Sequence, residues 1–155
     1  MAQASGQMSF SGSVEAGTCE VNGGNNDVAV SLPTVPASLL INPGQVAGNT
    51  RFDLRLANCS PGLTRVSTYF EPGPTISPQG RLIVDAGGSE NVEVQLRNNT
   101  NAPMNLAAAQ GNQNSQIVDI INGQAVLAYS AEYYSLGGTT PGLVNTRVQY
   151  TLIYP

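Results

Sequence analysis

The chain has 155 residues, room for one domain of ordinary size. Ten acids against six bases leave a net charge of −4; all six bases are arginine, and histidine, lysine and tryptophan are absent. These absences exclude Ser-His and Cys-His nucleophilic pairs, histidine-bearing zinc sites, Schiff-base lysines, Lys-Asn isopeptide crosslinks and P-loop chemistry, and the acidic balance offers no footprint for nucleic acid.

Hydrophobic residues make up 41 %, enough for a buried core, while charged residues are 10 %, well below the roughly 25 % of a typical soluble domain. Glycine (17) and proline (10) are abundant, but the apolar residues fall in regular runs, so the composition reads as ordered strands with many turns. Alternation of apolar and polar residues predicts strands over 7–14, 27–32, 50–58, 65–71, 81–85, 91–97, 116–121, 124–134 and 144–154. Turn-forming pairs separate them: Asn22-Gly23, Pro43-Gly44, Pro61-Gly62, Gly87-Gly88, Asn122-Gly123, Gly137-Gly138 and Pro141-Gly142. A short helical candidate spans 37–41 between Pro36 and Pro43, and the Asn- and Gln-rich stretch 109–116 reads as a loop. Short strands and turns at this spacing indicate an all-β sandwich. No apolar run approaches the ~20 residues that cross a bilayer, which argues against a subunit polymerising through a long apolar N-terminal helix. The N-terminus has neither a basic stretch nor an apolar stretch of signal-peptide type, so an exported protein is expected to be represented here in mature form.

In chain order, the first informative segment puts Met8, Phe10, Gly12, Val14 and Ala16 on one face and Ser9, Ser11, Ser13 and Glu15 on the other. By pattern alone it is an ordinary first strand, with Gly12 marking a bulge or a close backbone approach. Cys19 and Cys59 follow, either as a disulfide or as two free thiols. The secreted character of the composition favours the disulfide, and two thiols without histidine make a poor metal site. The last segment alternates Val148, Tyr150, Leu152 and Tyr154 up to Pro155. Its outer edge has no evident partner strand.

With these residues together, the sequence resembles the subunits of chaperone-usher fimbriae, the type 1 and P-pilus-like family. The similarity runs over essentially the whole chain. Phe10-x-Gly12-x-Val14 ahead of Cys19 is similar to the family's donor strand, with Gly12 at a position kept small. Cys19 and Cys59 match the placement of its single disulfide. Val30-x-Leu32-Pro33-x-Val35 and Phe52-x-Leu54-x-Leu56-x-x-Cys59 match early strands, and Ala131-Glu132-Tyr133-Tyr134 with Thr139-Thr140-Pro141-Gly142 matches a late hairpin. Gly142 is fourteenth from the end and Tyr154 penultimate, as in the family's closing signature.

The resemblance implies an incomplete immunoglobulin-like sandwich lacking its last strand. Residues 1–17 would be a donor-strand extension and 18–155 the domain. Met8, Phe10, Gly12, Val14 and Ala16 would fill the groove of another subunit, with Cys19 and Cys59 joined. Gly142, Val148, Tyr150, Leu152, Tyr154 and Pro155 would form the acceptor groove and chaperone-binding end. The implied partners are like subunits, a periplasmic chaperone, an outer-membrane usher and a host surface receptor, with no nucleic acid, cofactor or metal. The implied location is a fimbrium on the cell surface, used in adhesion. The link 16–19 is too short to turn the extension back into its own sandwich.

Two rivals come from other classes. An enzyme would need acids such as Asp53 near Arg55, which a solvated strand face explains better. A stand-alone or tip-located binding module, adhesin or adaptor, would use aromatics such as Tyr69, Phe70, Tyr133 and Tyr134, for which core and loop positions are the plainer explanation. The sequon at Asn98 reads as a turn.

Overall fold

Alternating strands with one apolar face stack in pairs, and this chain does so as two sheets. A computed structural model describes residues 3–12 and 17–155. A five-stranded sheet has the order β1-β2-β7-β5-β4, from β1 (Glu20–Val21), β2 (Val46–Ala57), β7 (Ala125–Ser135), β5 (Val92–Arg97) and β4 (Leu82–Ile83). A three-stranded sheet has the order β6-β3-β8, from β6 (Ile117–Asp119), β3 (Arg65–Phe70) and β8 (Tyr150–Ile153). All their pairings are antiparallel. The core lies between the sheets: Leu54, Leu56, Val66, Phe70, Leu96, Leu127 and Tyr129 are buried, and Phe70 meets the Tyr129 ring edge-on at 5.8 Å. Tyr129 also shares a 2.8 Å hydrogen bond with Ser115. Burial, opposed by that bond and by Thr68, pushes its phenol above the ordinary value.

β2 begins at Val46, earlier than its sequence pattern suggests. Gly48, at φ 71°, lies in a register break between Ala47 and Thr50 that interrupts the alternation. A Cβ there would come 3.0 Å from the Tyr133 ring. The two-residue β1 was not expected; it pairs with β2 just after Cys19, which is disulfide-bonded to Cys59. The candidate helix at 37–41 is a 3-10 turn, Ala37–Leu39, confined by its flanking prolines. The 109–116 stretch is irregular, as read. It is fastened by buried Gln113, whose amide donates to the carbonyls of Phe70, Leu106 and Ala108 while its oxygen accepts from Phe70 N. Strands expected at 81–85 and 116–121 are shorter, Leu82–Ile83 and Ile117–Asp119.

Three expected strands depart further, each lacking ladder pairing over all or part of its length. Residues 3–12 form no strand and are exposed, and 13–16, with the rest of that expectation, lie outside the described residues. Residues 27–32 form no ladder. The strand expected over 144–154 has ladder pairing only at Tyr150–Ile153. Its earlier part receives single bonds from one side, Asp85 N to Asn145 O and Glu71 N to Gln149 O, each 2.8 Å.

Candidate functional site

Between 26–32 and 144–152 the sandwich is open. The gap is a groove of about 1050 Å³, floored by core side chains including Phe52, Leu54, Phe70, Leu82, Val94 and Leu96. Val28 and Leu32 pack on the core from one wall; Val144, Val148, Tyr150 and Leu152 do so from the other. Among the described residues, no backbone group of 26–32 bonds to another backbone segment. The groove thus joins an apolar floor to unpaired polar backbone, the combination that invites an added strand.

The C-terminal wall is held from outside. Arg147 makes a two-pronged contact with Asp85 at 3.2 and 2.6 Å, Thr146 Oγ1 donates to Ile83 O at 2.6 Å, and Thr75 Oγ1 donates to Arg147 O at 2.5 Å. One side chain spans the groove: the Tyr150 hydroxyl donates to Asn26 O at 2.5 Å. Burial, reinforced by the nearby Asp27 carboxylate, pushes the Tyr150 phenol up.

The expected acceptor residues divide in space. Val148, Tyr150 and Leu152 line the groove. Tyr154 lies beyond it as a pin: its hydroxyl accepts from Cys19 N at 2.8 Å and shares a 3.0 Å bond with Thr18 Oγ1, tying the chain's end to the disulfide. Pro155 is exposed. Gly142 lines a smaller hollow of about 450 Å³ next to the groove, beside Leu40, Val92 and Leu143. A Cβ on Gly142 would lie 2.6 Å from Ser89 N, so its role there is close backbone packing. Of the expected donor residues, Met8 and Phe10 are 85 % and 91 % exposed, and Gly12 has no heavy atom within 4 Å of where its Cβ would be. Val14 and Ala16 lie outside the described residues.

Sequence reasoning missed the wall formed by Val28 and Leu32 and the floor from Phe52 and Leu82. Their alternation marked strands, but alternation does not say which strand lacks a neighbour. Several residues weighed for rival functions have structural places. Asp53 forms a 3.3 Å surface pair with Arg55. Tyr133 is buried, with its hydroxyl donating to Pro33 O at 2.8 Å. Tyr134 lies under the Arg81 guanidinium, 3.8 Å from the ring centre. Asn98 closes its own turn by accepting from Thr100 N and Ala102 N.

A family model described as Fimbrial protein matches residues 8–155. Major fimbrial subunit SMF-1 of Stenotrophomonas maltophilia (strain K279a) is 42 % identical, over 97 % of this chain and 93 % of its own length. The F17 fimbrial protein of Escherichia coli is 35 % identical, over 96 % and 87 %. The solved P pilus rod subunit PapA shares the fold at a TM-score of 0.67, with 18 % identity, covering 88 % of this chain and 99 % of that one. The chain belongs to the fimbrial protein family and is a structural subunit of cell-surface fimbriae, not an enzyme.

Proposed function

We propose that copies of this chain join head to tail by strand donation: the segment before Gly17 in one copy fills the groove of the next. The observation that carries this is an open apolar groove in a molecule whose own N-terminal segment leaves Met8 and Phe10 in water. Burying such side chains is worth ~1.5–3 kcal/mol each before ordering costs, and the added strand would pair the unsatisfied backbone along the groove. Donor and groove are different surfaces, so the contact is heterologous and builds an open filament. It is strand addition with pockets for alternate side chains. Before assembly, a periplasmic chaperone would lend a strand to the same groove, contacting the terminal carboxylate of Pro155, and an outer-membrane usher would receive the subunit.

Gly12→Asn tests the donation. Nothing in its own domain lies near Gly12, so the substitution leaves the single chain undisturbed. The expected result is loss of the heat-sensitive multimer ladder on denaturing gels. A ladder of normal yield and thermal resistance would refute the donor assignment.

A further inference from the structure

The two walls of the groove run in opposite senses. At one end Leu32 and Val144 pack on the same cluster of Leu40, Val92 and Tyr133; at the other, Asn26 meets Tyr150. The walls are held very differently. Tyr150 sits in the β3 ladder opposite Phe70, Glu71 N donates to Gln149 O at 2.8 Å, and Thr151 Oγ1 donates to Glu71 Oε1. The backbone around Tyr150 is therefore fixed from outside the groove, which leaves its side chain as the part that can move. The opposite wall has far less support. Asp27 N donates to Asn25 Oδ1 at 3.2 Å within a local turn. Among the described residues, the backbone of 26–32 takes one other hydrogen bond, and the Tyr150 hydroxyl supplies it, donating to Asn26 O at 2.5 Å. Just past this wall the buried Tyr133 hydroxyl donates to Pro33 O at 2.8 Å. The segment thus hangs between two tyrosine hydroxyls, one buried and one on a half-buried side chain at the groove.

We infer that the Tyr150 side chain is a strap across the empty groove, standing where the added strand comes to lie and released as that strand enters. The inference rests on the strand-donation reading and adds a control on how fast the groove is filled. A strand laid between the walls has to pass the Tyr150–Asn26 bridge whichever way it runs, because the bridge joins the two edges that the strand separates. Asn26 O is also one of the backbone acceptors that an incoming strand would satisfy, so the strap takes a hydrogen bond that belongs to the missing neighbour. Burial and the Asp27 carboxylate both push the phenol up, so at neutral pH the hydroxyl keeps its proton and remains a donor. The strap steadies a wall that has no ladder and closes one end of an edge open to unwanted pairing. Its strength is that of one hydrogen bond, enough to delay entry and too little to prevent it. Swinging it out breaks no backbone bond, since the ladder to β3 uses only the main chain.

The test uses the full chain, refolded as a monomer, with a dye-labelled peptide of residues 3–16 in excess. Tyr150→Phe keeps the ring and removes the bond. Because the strap exists only in the empty chain, the peptide should associate with the variant about two- to tenfold faster, the range set by one net hydrogen bond, while its dissociation rate changes less. Melting temperatures give a second reading that needs no rate: the substitution should lower that of the empty chain and lower that of the peptide-filled chain by less. An association rate equal to or below that of the wild type would overturn the strap and leave strand donation standing. Equal changes in melting temperature with and without peptide would do the same, because the bond would then persist beneath the donor. Failure of the peptide to bind the wild-type chain would remove the donation reading and this inference with it.

Discussion

β7 and the C-terminal strand are written in the same alternating code, yet they meet opposite fates. β7 is hydrogen-bonded along both edges, by β2 and β5, and its Leu127 and Tyr129 are almost completely buried. Among the described residues, the backbone of the C-terminal segment 144–153 has backbone partners only on the side of β3 and β4, and Val144, Val148, Tyr150 and Leu152 remain half-buried at the groove. The difference is a missing neighbour. Where the chain supplies both flanking strands the sheet closes, and where it supplies one it keeps an open groove.

The seam should be the place where a single change costs most. Leu127→Ala removes a fully buried side chain and should cost about 2–5 kcal/mol in denaturant unfolding of the polymerised or peptide-filled protein. A cost below about 1 kcal/mol would mean that the seam is not the core. On the open side, Phe10→Ala should weaken subunit association by about 1.5–3 kcal/mol, read from the denaturant needed to dissociate multimers, and leave the stability of the domain itself unchanged. An equal loss in both would place Phe10 in its own fold. The pin that ties the open strand to the closed half is worth less. Tyr154→Phe gives up the bond to Cys19 N and should cost about 1–2 kcal/mol in the same unfolding measurement. Asp53→Asn breaks a surface pair whose arginine is mostly in solvent and should change stability by less than about 1 kcal/mol.

The last difference is silent at neutral pH. The Tyr129 phenol is held above its ordinary value of 10.0 by burial. Its contribution is therefore complete below pH 10 and is lost as pH rises from there through the folded-state value, because the unfolded chain ionises first. Denaturation midpoints should fall above about pH 10, and Tyr129→Phe should flatten that fall. A midpoint rising with pH would contradict the sign.

Much of this was legible in the sequence. Phe52-x-Leu54-x-Leu56 and Val92-x-Val94-x-Leu96 carry period-two alternation, and both are strands in the sandwich. Asn122-Gly123 is a tight turn with both residues at positive φ. What periodicity could not supply was partnership. Val28, Val30 and Leu32 alternate like any strand but make no ladder, because alternation records which face is apolar and says nothing of the backbone beside it. Tyr154 shared the alternation of Val148 and Tyr150, so it read as groove floor; its position as a pin depends on Cys19, 135 residues away. Gly142 read as part of the groove, whereas its place is fixed by the Ser89 backbone, a contact with no local signal.

The central claim is that this domain is completed from outside by the residues that precede Gly17. It is tested most directly by thermal unfolding of a chain starting at Gly17, titrated with a peptide of residues 3–16. A ligand that binds only the folded form raises the melting temperature in step with its concentration. The account predicts such a rise, sharply reduced for a peptide carrying Phe10→Ala. An unchanged melting temperature at millimolar peptide would contradict it.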